Sequence, residues 1–162
     1  MSLLHRRRSI RKYTAEAVSP EAIEAMLRAA MAAPSAHNQQ PWHFVVVRDR
    51  ATLDELAKVH RYSKMLAQAP LCVVPCGEKE HRFWEQDCSA ATQNLLLAAT
   101  ALGLGAVWVG IHPNAEPVQK VRELLQIPET HVPLCLIPIG HPAEERQPSE
   151  RYTTEKVHSE RW

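Results

Sequence analysis

The stretch from Asp87 to Leu102 constrains this chain more than any other. After a polar start it runs Leu95-Leu96-Leu97-Ala98-Ala99. Successive helical residues point about 100° apart, so this run puts apolar side chains on nearly every side of a helix. A helix with no polar face must be covered all round. In a chain of 162 residues that predicts a central helix, with a second subunit as one candidate cover. The length itself predicts one domain over residues 1–162, with enough mass for a real core.

The other elements arrange themselves about it. Ser19-Pro20-Glu21 combines an N-cap hydroxyl, a first-turn proline and an acid at the positive end of a helix dipole. Ile23, Met26, Leu27, Ala30 and Met31 then recur at helical spacing up to Pro34. Trp42 to Val47 and Leu71 to Pro75 are compact apolar runs that predict buried strands. Residues 50 to 59 predict a surface helix, with Leu53, Leu56 and Ala57 on one face. Ala106 to Gly110 and Val132 to Gly140 predict two more strands, separated by an amphipathic helix over Asn114 to Leu125 that closes at Pro128. Strands and helices alternate with connections of very different length, so the class is mixed α and β. From His141 onward no period is visible, yet the tail carries Tyr152 and Trp162; such a tail usually drapes over something.

Composition removes several functions. Hydrophobic residues make up 45% and charged residues 23%, too apolar a mixture for disorder. Lys and Arg total 19 against 18 acids, so no overall field favours nucleic acid or an anionic membrane. No apolar run approaches the roughly 20 residues that span a bilayer. Arg6, Arg7 and Arg8 interrupt the N-terminus before any secretory h-region. An Arg-rich, acid-poor opening also suits a mitochondrial presequence, but here it leads directly into a well-formed helix. Cys72, Cys76, Cys88 and Cys135 form no C-x-x-C pair. Three lie in strand-like runs and Cys88 near a helix start, which predicts buried thiols in a reducing cytosol.

Some motifs fail on context. Gly103-Leu104-Gly105 with Gly110 superficially matches a dinucleotide loop, but it follows a helix and enters a strand, the reverse of what that loop requires. Gly103 is better read as a helix stop. Cys72, Cys76 and His81 lie close together but lack a fourth metal ligand at sensible spacing, and neither H-E-x-x-H nor G-x-S-x-G occurs. Two segments stand out. Arg7-Arg8-Ser9-Ile10-Arg11 is either a solvated basic arm or an anion site, because guanidinium forks and a hydroxyl suit a dianionic phosphate. Residues 34–42, Pro-Ser-Ala-His-Asn-Gln-Gln-Pro-Trp, are either a polar helix-to-strand loop or a set of donors and acceptors able to read the amide edge of a flat heterocycle.

Together these segments resemble the nitroreductase family of FMN-dependent oxidoreductases over nearly the whole chain. Residues 7–11 are similar to its R-R-S-x-R opening and residues 34–42 to its P-S-x-x-N-x-Q-P-W loop. Leu102-Gly103-Leu104-Gly105 with Trp108-Val109-Gly110 is similar to its G-L-G…W-x-G turn and strand. Gly140-His141-Pro142 and the ending His158 to Trp162 resemble its short-chain branch. The resemblance implies an α+β nitroreductase-like fold with a central mixed β-sheet flanked by helices. It also implies an interleaved homodimer with FMN at the subunit interface and residues 142–162 packed on the partner. Electrons would pass from NADH or NADPH to a small organic acceptor, such as a nitroaromatic or quinone, in a cytoplasmic protein that needs no nucleic acid, membrane or metal.

Residue roles follow from the same resemblance. Arg7 and Arg8 would bind the flavin phosphate with help from Arg151, and Ser9 would lie along the ribityl path. Arg11 would sit near the pyrimidine end of the ring, where a cation stabilises negative charge on the reduced flavin. Pro34, Ser35, Asn38 and Gln40 would line the ring from the opposite subunit. Trp108, Val109 and Gly110 would flank flavin N5, with a backbone N–H facing that atom. No catalytic side-chain acid or base is expected, because the chemistry is the cofactor's. Two departures stand against the larger members. Ser149 replaces a second basic residue of the tail, and the segment between Gly77 and Asp87 is very short. Phe83 and Trp84 are there either a small lid or core. A non-catalytic flavin sensor, a flavin reductase and a dehalogenase-like reductive enzyme are alternative readings, as is a small nucleic-acid binder using residues 5–12.

Overall fold

A computed structural model of the protein describes residues 3–148 and 150–162, so Ser149 lies outside the described residues. The chain opens with a single helical turn, α1 (Leu3–Arg6), and passes through an extended arm into α2 (Pro20–Met31). Ser19 caps α2 by accepting from the Ala22 N–H at 3.1 Å. The strand β1 (Trp42–Val47) leads to α3 (Arg50–Leu56), which Asp49 caps through the Thr52 N–H at 2.8 Å. Then come β2 (Leu71–Glu78), α4 (Trp84–Ala101), β3 (Gly105–Ala106), β4 (Val109–Gly110), α5 (Ala115–Leu125), β5 (His131–Pro133) and β6 (Cys135–Gly140). α5 ends at Gln126 in the left-handed conformation, two residues before Pro128. The fold is α+β, as expected.

The sheet runs β1-β2-β6-β3, with β4 also on β6 and β5 also on β2, and every pair of these strands is antiparallel. Among the described residues, the parallel element is a bridge from Ser9 to Ala106, which lays the N-terminal arm beside β3. Two strands expected to be continuous are interrupted, and in both places a proline faces the break. Gly105↔Gly140 and Ala106↔Ile139 share one register with Val109↔Leu136 and Gly110↔Cys135. The gap lies at Val107 and Trp108, opposite Pro138, which accepts from the Val107 N–H at 3.3 Å but has no N–H to return. Likewise, β5 and β6 differ in register against β2 by one residue, a bulge beside Pro75, whose carbonyl accepts from the Leu134 N–H at 2.9 Å.

α4 begins three residues earlier than its sequence pattern suggests and packs chiefly on α2 and on β2. It buries Trp84, Cys88, Ala91, Leu95, Leu96 and Ala99, each large side chain contributing roughly 2 kcal/mol. Leu97 and Ala98 remain half-buried, so a single chain covers the helix most of the way round. Trp84 settles one alternative: it is a core residue, 7% exposed and seated over Gly77, while its neighbour Phe83 faces solvent under Arg82. All four cysteines are buried free thiols. The tail after His141 runs along the N-terminal arm of its own chain, the Ala143 N–H donating to the Lys12 carbonyl at 2.9 Å, and leaves Tyr152, Val157 and Trp162 exposed. Among the described residues, no helix is long and apolar enough to cross a membrane.

Candidate functional site

The N-terminal arm is placed by close backbone approach. The Ile10 N–H donates to the Ala106 carbonyl at 3.0 Å. A Cβ at Gly105 would stand 2.6 Å from Ile10 Cγ2, so glycine permits this contact. Tyr13 then fastens the arm, its buried hydroxyl donating toward the Ile10 and Pro138 carbonyls. Burial pushes the Tyr13 phenol well above its ordinary range.

Two cavities open on either side of this arm. One, about 420 Å³, is lined by Leu4, His5, Arg7, Arg8, Glu150, Arg151 and Tyr152. Burial first, then the Arg151 and Arg8 charges, lowers the Arg7 pKa from its ordinary value. Like charges have been brought together here. Arg8 donates from Nε to the Gln147 carbonyl at 2.8 Å and from Nη1 to the Arg7 carbonyl, while its buried Nη2 has no partner among the described residues. A buried donor without an acceptor is costly, and a dianion with several acceptor oxygens would satisfy it. The residues present therefore fit a phosphate group.

The second cavity, about 430 Å³, brings Arg11 together with Trp108, Val109 and Gly110. Its floor is the interrupted strand opposite Pro138. The Arg11 N–H donates to Glu144 Oε1 at 2.6 Å, which fixes the backbone and leaves the side chain at the rim. The far wall, His60 to Met65, was not anticipated. Arg61 lies over the Tyr62 ring at 4.5 Å, and both are exposed. The available signal was a cluster of Lys58, His60, Arg61 and Lys64 directly after α3.

The loop of residues 34–40 reaches neither cavity. Ser35 Oγ accepts from the Gln40 N–H at 3.0 Å, and Asn38 Oδ1 from Gln40 Nε2 at 2.9 Å. His37, Asn38 and Gln40 all have φ near +52°, a conformation that costs of order 1–3 kcal/mol per non-glycine residue. Asp87, in the first turn of α4, anchors the loop by accepting from the Ala36 N–H at 3.1 Å. Asn38 and Gln40 are exposed on this braced loop. One chain thus groups Arg7, Arg8 and Arg151, groups Arg11 with residues 108–110, sets Ser9 on the arm between them, and holds Pro34, Ser35, Asn38 and Gln40 apart.

The family model described as the nitroreductase family matches residues 4–61 and 56–141. An Archaeoglobus fulgidus protein provisionally named NADH dehydrogenase/NAD(P)H nitroreductase is 42% identical over 170 residues, spanning all of this chain and 98% of that protein. A crystal structure of a Bacteroides thetaiotaomicron protein with the same provisional name superposes with a TM-score of 0.96 at 44% identity, covering 99% of this chain and 96% of the other. A provisionally named nitroreductase from Desulfovibrio desulfuricans, solved in complex with FMN, gives 0.84 at 37% identity, covering 99% and 95%. The likeness runs from the arginine arm to the tail, and the chain belongs to the nitroreductase family.

Proposed function

We propose that this protein is an FMN-dependent oxidoreductase working as a cytoplasmic homodimer, with each flavin held between the two subunits. The observation that carries the reading is the meeting of Arg7, Arg8 and Arg151 at one cavity, where a buried Arg8 nitrogen lacks an acceptor among the described residues. Bound there, FMN would supply redox chemistry at its ring, taking electrons from NADH or NADPH and passing them to a small organic acceptor such as a nitroaromatic or quinone. The names of the relatives support this direction, and the flavin in the Desulfovibrio protein supports the cofactor.

The side chains have separate tasks. Arg7, Arg8 and Arg151 hold the phosphate, and Ser9 lies between that end and the ring. Arg11 sets positive charge beside the cavity of Trp108, Val109 and Gly110, where negative charge accumulates on reduction. Pro34, Ser35, Asn38 and Gln40 serve the partner subunit's ring, which accounts for a strained, braced loop that lines neither of the two cavities of its own chain. The exposed Tyr152, Val157 and Trp162 of residues 142–162 cover the partner. Donor and acceptor occupy one open cavity in turn, hence ping-pong kinetics.

The test is direct. Arg7→Ala with Arg151→Ala is expected to purify without yellow colour, while the wild type releases FMN on denaturation. Full flavin content in the double variant would displace the phosphate site. Initial rates with NADH and a quinone are expected to give parallel double-reciprocal lines, and intersecting lines would contradict the scheme.

A further inference from the structure

Away from both cavities, the antiparallel register gathers four polar side chains on one face of the sheet. His43 of β1 stands opposite Cys76 of β2, and Glu78 opposite His131 of β5. Cys76 and Glu78 are two residues apart, so all four side chains point the same way. His43 Nε2 lies 3.2 Å from Glu78 Oε1, and the His43 and His131 rings meet edge-on with centroids 4.4 Å apart. One ligand atom each from His43, Glu78 and His131 falls within 4.8 Å of the other two.

We propose that His43, Glu78 and His131 form a binding site for a divalent transition cation, with Zn²⁺ the best match to two imidazoles and a carboxylate. Ligand atoms about 2.1 Å from a four- or six-coordinate ion are about 3.0–3.4 Å apart. The His43–Glu78 separation already has that value, and small side-chain rotations bring His131 to it. Hard cations such as Mg²⁺ and Ca²⁺ prefer oxygen donors, whereas imidazole with carboxylate suits zinc and its neighbours.

The surrounding groups hold the three in position. The other Glu78 oxygen, Oε2, is 3.0 Å from His81 Nε2, and His81 Nδ1 is 2.9 Å from Gln39 Oε1. His81 therefore orients the carboxylate and leaves Oε1 turned toward His43. His131 Nδ1 is 2.9 Å from Thr130 Oγ1; donating there leaves Nε2 free to ligate, the usual device for fixing a ligand tautomer. An apolar hollow of about 220 Å³, formed with Leu125, Ile127 and Pro128, adjoins the two histidines. A bound ion would join three strands and fix the turn that follows α5. The site is separate from the flavin reading, and its test does not depend on turnover.

Untagged, flavin-loaded protein, dialysed against chelator, is titrated with ZnCl₂ by calorimetry. One equivalent per chain is expected, with His43→Ala, His131→Ala and Glu78→Gln each weakening binding at least about tenfold. His158→Ala is expected to leave it unchanged, and the visible flavin spectrum is expected not to move. Zn²⁺ is expected to raise the Tm of the wild type but not of the doubly substituted His43→Ala, His131→Ala protein. Absence of saturable binding up to about 1 mM Zn²⁺ overturns the proposal, as does stoichiometric binding that survives the double substitution. Because a variant could fail to fold, Cu²⁺-loaded wild type is also read by electron paramagnetic resonance. Coupling to two imidazole nitrogens is expected, and a signal without nitrogen coupling counts against the site.

Discussion

Asp87, on the first turn of α4, accepts a hydrogen bond from the backbone N–H of Ala36 at 3.1 Å and is itself 7% exposed. The polar start of a helix that is otherwise apolar on nearly every side thus braces the loop in which three non-glycine residues hold positive φ. The brace runs from the buried start of α4 to a loop holding three left-handed non-glycine residues.

Removing it is expected to release that loop. Asp87→Ala should cost about 1.5–3 kcal/mol, the range for a hydrogen bond to a charged group. Asp87→Asn keeps an acceptor oxygen and should cost less. Urea unfolding checks the order of the two variants, and flavin titration of the refolded proteins should show weaker binding for Asp87→Ala.

Two glycines separate architecture from binding. Gly105→Ala drives a methyl group to 2.6 Å from Ile10, so the N-terminal arm must shift. A loss of about 1–3 kcal/mol is expected, with lower flavin content, because Arg7 and Arg8 move with the arm. At Gly110 the nearest atom to an added Cβ is Trp108 Nε1, at 3.9 Å. Gly110→Ala should therefore change stability by no more than about 0.5 kcal/mol, yet alter flavin affinity or turnover, since the methyl enters the cavity. Comparable destabilisation in both variants, measured by thermal unfolding, would contradict this division.

The buried thiols set an alkaline limit. Burial pushes Cys72, Cys76 and Cys88 up to about 12 from an ordinary value of 9.0, and raises Cys135 as well. More than about one pH unit below 9 both folded and unfolded chains keep these protons, and the thiols contribute almost no pH dependence. Between about 9 and about 12 the unfolded chain releases protons that the folded chain retains. Stability therefore falls as pH rises through that window, by up to about 1.4 kcal/mol per pH unit for each thiol. Urea midpoints at pH 7, 8 and 10 should be nearly level across the first step and decline across the second. A disulfide-exchange reagent at pH 8 should label no cysteine until the protein is unfolded.

The second cavity predicts a preference for negative charge. Arg11, Arg61 and Lys64 stand around an apolar floor of Val107, Trp108 and Val109. Reversing the charge outside the proposed flavin contacts, with Arg61→Glu and Lys64→Glu, should raise KM for a carboxylated quinone more than for its neutral analogue. Equal KM changes for both acceptors would show that this rim does not read charge.

Much of the local structure was legible because its causes are local. The Ser19 cap, the periodicity of α2 and the β-branched runs of β1 and β2 each rest on neighbours within a few residues. The arginine arm and the residue 34–42 loop were legible as motifs, since charge and polar density survive without coordinates. The split of residues 106–110 was not, because its cause, Pro138, lies some thirty positions away and acts only once the strands pair. The wall at His60 to Met65 was missed for a related reason: it meets Arg11 and Trp108 only when the chain has folded back.

The primary structure by itself determined the class, the central position of α4, the buried state of the cysteines and the family pattern. Those properties depend on side-chain chemistry and short-range spacing. Only the tertiary structure decided that Trp84 is core, that Asp87 braces a strained loop, and that His43, Glu78 and His131 share one face. Each of these depends on strand register or on the direction of approach between distant segments. Register is set cooperatively by the whole sheet, and a shift of one residue would turn those three side chains to opposite faces.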